Sequence, residues 1–165
     1  MKKIFKVLTC LVLSLNLLAS GLIAPSSVSA STKTVSQETI TLENGDHCVV
    51  TTTETTAETP NGIALYATKT KSAEKSYSYY NSSNTLCWVY TLHGTFMYDN
   101  STLVVCSDTY HEIAIHHPDK WIYESGKHWK QANNAYGKAT FRLIGFSATK
   151  TANLQISCTK HGVIS

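Results

Sequence analysis

The 165-residue chain carries 14 basic and 11 acidic side chains, and three of the bases (Lys2, Lys3, Lys6) but no acid fall within its first 30 residues. Removing those 30 leaves 135 residues with 11 charges of each sign, a neutral chain with no electrostatic reason to bind nucleic acid or an anionic membrane. A chain of that length holds one domain with one core.

The segment to be removed is Met1–Ala30. Its cations are followed by an apolar run from Val7 to Ala24 and by Val28-Ser29-Ala30, a small-x-small cleavage pattern, which together predict a secretory signal peptide. Cys10 lies too early in the run for a lipoprotein cleavage box. Cleavage after Ala30 yields a secreted, extracellular product, expected to have no membrane anchor and to be a monomer.

Ser31–Gln37 is polar. Glu38–Glu43, Asn44-Gly45 and Asp46–Thr51 then carry the strongest short-range hairpin signal in the chain, with Ile40 expected opposite Val49 and Leu42 opposite His47. Glu43 opposite Asp46 is a like-charge pair in that register. Thr52–Lys75 is Thr-rich, contains Pro60-Asn61-Gly62, and reads as a linker, so residues 31–75 form a loosely attached hairpin and linker.

Residues 76–165 read as the main domain, centred on Leu86–Cys106. Trp88, Tyr90 and Leu92 share one strand face, Phe96 and Tyr98 resume after Gly94, and Asp99-Asn100-Ser101 turns the chain into Leu103-Val104-Val105. Asn81-Ser82-Ser83 and Asn100-Ser101-Thr102 match a glycosylation sequon and are read as turns. Further strands follow at Tyr110–His117, Trp121–Tyr123, Ala135–Phe141 and Ala152–Cys158. The small positions Ala135, Gly137 and Ala139 on one face leave a groove for a large ring, Trp88 or Trp121. No window outside the signal peptide has a helical period. The fold class is therefore all-β: an antiparallel two-sheet sandwich, immunoglobulin-like, with an additional N-terminal hairpin.

Cys48, Cys87, Cys106 and Cys158 remain after cleavage, an even number that in a small exported chain predicts disulfides with three possible connectivities. None forms a Cys-x-x-Cys pair. A zincin is excluded because Ile115 stands where the second histidine after His111-Glu112 belongs, and no Gly-x-Ser-x-Gly elbow is present. The chain is expected not to be an enzyme and to need no cofactor.

From Thr68 on, the chain resembles a group of small, exported, uncharacterised proteins of Gram-positive bacteria. The resemblance rests on YATKTKSAEKSYSYYNSS, on W-x-x-x-L-x-G-x-F-x-Y at Trp88, Leu92, Gly94, Phe96 and Tyr98, on Trp121, on the small-alternating strand at Ala135, and on the ending SCTKHGVIS. It covers roughly two-thirds of the 135 residues and implies an exported β domain with cysteines at Cys106 and Cys158, but no mechanism. Cys106 shares a face with Val104, and Cys158 with Leu154 and Ile156, so the expected bridges are Cys106–Cys158 and, by elimination, Cys48–Cys87.

Two functional readings follow. Tyr and Trp exceed what one small core buries, which suits a non-enzymatic extracellular binding domain for a protein or glycan, with Tyr79, Tyr80, Trp121, Tyr123 and Trp129 as contacts. The competing reading is a zinc or copper protein using histidines from different strands, His93, His116 and His128.

Overall fold

Large apolar side chains at period two build the centre of the fold. The computed structural model describes residues 30–57 and 68–165; the expected signal peptide up to Ser29 and the Pro60-Asn61-Gly62 turn lie outside them. In β4 (Leu86–Tyr98) the residues Trp88, Tyr90, Leu92 and Phe96 are wholly buried, while Val89, Thr91 and Thr95 between them are only half-buried. β4 pairs antiparallel with β5 (Val104–Ile115). The connecting turn is held by Asp99, whose Oδ1 accepts the backbone N–H groups of Ser101, Thr102 and Leu103 at 2.8–2.9 Å, and Asn100 takes a positive φ of 65°.

Six further strands complete an all-β architecture: β1 (Ala30–Thr41), β2 (His47–Ala57), β3 (Lys69–Tyr80), β6 (Trp121–Gln131), β7 (Asn134–Leu143) and β8 (Thr149–Ser157). They form two antiparallel sheets, one ordered β1-β2-β3-β4-β5 and the other β6-β7-β8. The sheets pack with β5 against β6, β4 against β7 and β3 against β8. No helix among the described residues is long and apolar enough to cross a membrane.

The sandwich class is as expected, but the immunoglobulin-like arrangement is corrected. That fold interleaves its strands by Greek-key connections. Here both sheets follow chain order, so every pairing is a simple meander.

The N-terminal hairpin is integrated rather than loosely attached. Ten positions of β2 pair with β3, and Cys48 and Thr52 of β2 are buried. Most of the segment read as linker is therefore strand. Its Thr, Ser and Lys side chains lack an apolar period, and backbone pairing along a longer sheet overrides that weak local signal. The hairpin register is also one residue off the expected one: Ile40 pairs with Cys48 and Thr41 with His47. The Leu42 N–H donates to the Asp46 carbonyl at 2.8 Å, and Gly45 has φ 81°, so the turn has three residues with glycine in the left-handed bulge position. That arrangement takes Glu43 out of register with Asp46 and removes the like-charge pair.

The groove of small residues on β7 exists, and the ring that fills its centre, at Gly137, is neither of the two expected. A Cβ on Gly137 would overlap the Tyr90 hydroxyl, and one on Gly94 of β4 would lie 3.1 Å from the Ala135 Cβ. Tyr90 fills the groove at Gly137, while Trp88 stacks on Phe141 at 3.9 Å between ring centroids. Ala152, Leu154, Ile156 and Cys158 face inward from the last strand as expected.

Candidate functional site

At one end of the sandwich four turns converge, those joining β1 to β2, β3 to β4, β5 to β6 and β7 to β8. Backbone bonds knit them together. His116 and His117 N–H both donate to the Cys87 carbonyl, at 2.9 and 3.3 Å, and Ile144 N–H donates to the Lys120 carbonyl at 2.7 Å. Between the turns lies a cleft of about 480 Å³, within the range that holds a small ligand. Its walls include Asp46, Tyr79, Trp121, Lys120 and Lys150.

Asp46 sits at the base, 7% exposed. Its carboxylate accepts the Tyr79 hydroxyl and the Asn44 side-chain amide. Burial alone raises the Asp46 pKa, but those two bonds, a backbone bond from Ser82 and the Lys150 charge outweigh it, so the group stays ionised below the usual carboxylate range. The same arrangement, burial first, then the hydrogen bond to Asp46 and its charge, pushes the Tyr79 phenol far above its ordinary value and keeps it a donor.

Aromatic rings form the floor. Tyr79 stacks on Trp88 at 5.0 Å, Trp121 meets Tyr79 edge-on at 5.3 Å, and the Lys150 ammonium lies 5.8 Å above the Tyr79 ring. Cys87 also reaches the cleft, donating its thiol to the Thr85 carbonyl at 3.4 Å. Burial raises its pKa despite the opposing Asn81 backbone and Trp121 contacts, so it rests as a thiol and not as a thiolate nucleophile.

Of the five expected contact aromatics, the cleft gathers two, Tyr79 and Trp121, and these are mostly buried. Tyr80 lies parallel to His47 at 4.8 Å. Tyr123 packs near Phe141 at 5.9 Å. Trp129 stacks on Tyr136 at 5.3 Å with Lys127 over it, at a separate surface. They are not one contact surface. Asp46 and Lys150 were missed, because nothing in a linear sequence brings four turns to one point.

The three expected metal-binding histidines also lie apart. His93 is held between Glu74 and Glu112, which flank opposite ring nitrogens at 3.4 and 3.7 Å. His116 is exposed in the turn after β5, and His128 lies on β6. Among the described residues no three His, Cys, Asp or Glu side chains converge on one point.

The four cysteines among the described residues are free thiols, and each is buried. The expected Cys48–Cys87 bridge is corrected by strand order. Cys48 on β2 and Cys87 on β4 flank β3, about 9.6 Å apart at two strand spacings, beyond the reach of a disulfide. Cys106 and Cys158 are differently placed: their N–H groups donate to the consecutive carbonyls of Ala132 and Asn133 at 2.8 and 3.1 Å, which sets them side by side across the two sheets.

Comparison of the chain with protein-family models, with curated proteins and with solved structures finds no match.

Proposed function

We propose that the chain is a secreted, non-enzymatic binding domain and that the cleft at the converging turns takes a sugar unit of an extracellular glycan. The observation that supports this reading most is the pairing, in one cleft, of aromatic side chains (Tyr79, Trp121) with an ionised carboxylate and two lysines. Aromatic side chains lend the cleft wall apolar contact for a sugar ring, and fixed acceptors and donors bind its hydroxyls. Export rests on the N-terminal sequence pattern. In the oxidising space outside the cell, Cys106 and Cys158 each give up a proton and an electron to a disulfide-bearing oxidant and join the two sheets.

Titration of the secreted chain with peptidoglycan fragments and neutral oligosaccharides, followed by indole fluorescence, tests the proposal. Saturable binding that weakens at least tenfold in the Lys120→Ala/Lys150→Ala variant is the expected result. Binding that is untouched by that variant, capture only of a protein partner, or turnover of any sugar overturns it.

A further inference from the structure

One pair of titratable side chains lies outside the cleft and bridges the two sheets. His111 of β5 pairs with Leu92, whose side chain is buried, so His111 faces inward from the edge of the five-stranded sheet. On β6 a bulge between Tyr123 and Ser125 shifts the phase of the strand by one residue. His128 thereby comes opposite Gly137 and also faces inward, from the edge of the three-stranded sheet. Those two edges meet, and the rings touch: the Nδ1 atoms are 2.7 Å apart, with ring centroids at 4.9 Å and planes at 64°. From beneath, His111 is braced by the buried Tyr90 ring at 5.5 Å, whereas His128 is exposed.

We infer that His111 and His128 form a two-nitrogen site for a borderline transition-metal ion, copper(II) foremost. Two imidazole nitrogens so close to one another can turn to a single ion, and among divalent first-row metals copper(II) binds a given nitrogen site most strongly. In the metal-free pair one Nδ1–H donates to the other Nδ1 lone pair. On binding, that proton moves to the Nε2 of its own ring, both Nδ1 lone pairs turn to the ion, and no net proton is released. The rings now meet almost head-on, and a swing of the exposed His128 ring opens the corner. With no third His, Cys, Asp or Glu converging there among the described residues, water completes the coordination.

The test is calorimetric titration of the secreted chain with copper(II) and with zinc(II), joined to electron paramagnetic resonance of the copper form. Expected are one equivalent of copper at micromolar affinity, zinc at least tenfold weaker, and a spectrum reporting two nitrogen ligands. His111→Gln and His128→Gln, checked for folding by circular dichroism, each weaken copper at least tenfold, whereas His93→Gln and His116→Gln leave it unchanged. No saturable copper binding, a spectrum with oxygen ligands alone, or full affinity in His128→Gln overturns the site.

Discussion

Replacing Gly137 with alanine should be among the most damaging single-methyl additions in this protein. A Cβ there would overlap the Tyr90 hydroxyl and would lie 2.9 Å from the Leu92 Cδ1 and 3.2 Å from the Tyr90 Cζ. Both neighbours are wholly buried on β4 and have no solvent to retreat into. Overpacking of a closed core costs about 1–3 kcal/mol, and overlap with two immobile side chains points to about 2–3 kcal/mol. The Tyr90 hydroxyl has no hydrogen-bond partner among the described residues. Tyr90→Phe therefore removes a buried, unsatisfied group and should be neutral or stabilising by about 1 kcal/mol. It also removes the worst of the overlap, so Gly137→Ala in the Tyr90→Phe background should cost at least about 1 kcal/mol less than in the parent. Urea unfolding of the four proteins of this cycle, followed by tryptophan fluorescence, measures the coupling. A Gly137→Ala cost below about 0.5 kcal/mol, or strict additivity with Tyr90→Phe, would refute the groove-and-ring account of the core.

Three more outcomes are expected. His111 has its folded pKa below the ordinary 6.5, so on acidification the unfolded chain takes up the proton first. Its contribution to stability is complete above about pH 6.5 and declines down to the folded value, where the loss stops; urea unfolding across this window should show the slope, and His111→Asn should flatten it. A Cys106–Cys158 bond closes a loop of about 52 residues and should add up to about 4 kcal/mol, seen as a drop in stability on reduction, with peptide mapping under non-reducing conditions to identify the pair. Ala132, in the β6–β7 turn, has φ 53°, so Ala132→Gly should stabilise by about 1 kcal/mol in the same unfolding assay.

What was legible in the sequence was whatever large side chains wrote at period two. Trp88 through Tyr98 and Ala152 through Cys158 announced both their strands and their inward faces, because the rings of β4 and the apolar side chains of β8 recur at every second position on the inward side. β3 was only half visible: its Tyr77–Tyr80 end is aromatic, but Lys69–Lys75 lies where Ala73 is the sole buried side chain. The β6 pattern misled for a different reason. Its bulge reverses the two faces midway, so only Trp121–Tyr123 read as strand and the continuation to Gln131 did not. The same bulge hid the His111–His128 pair, since period two carried unbroken from Trp121 sets His128 on the outer face. The cleft was illegible on principle: Asp46, Tyr79, Trp121 and Lys150 lie in or beside four different connections whose meeting depends on the packing of two sheets.

The sheets are unequal, five strands against three, and β1 projects beyond the cover of the smaller one. All twelve of its residues are exposed, so it adds ladder hydrogen bonds but buries no side chain of its own. Such a strand belongs to the low end of the local unfolding scale. In folding it can join only a sheet that already exists, because its pairing with β2 has no core contact to offset the lost chain entropy. β1 is thus the last strand to zip on and the first to peel away. Each time it leaves, the ladder groups of β2 meet solvent while β3 to β8 stay closed.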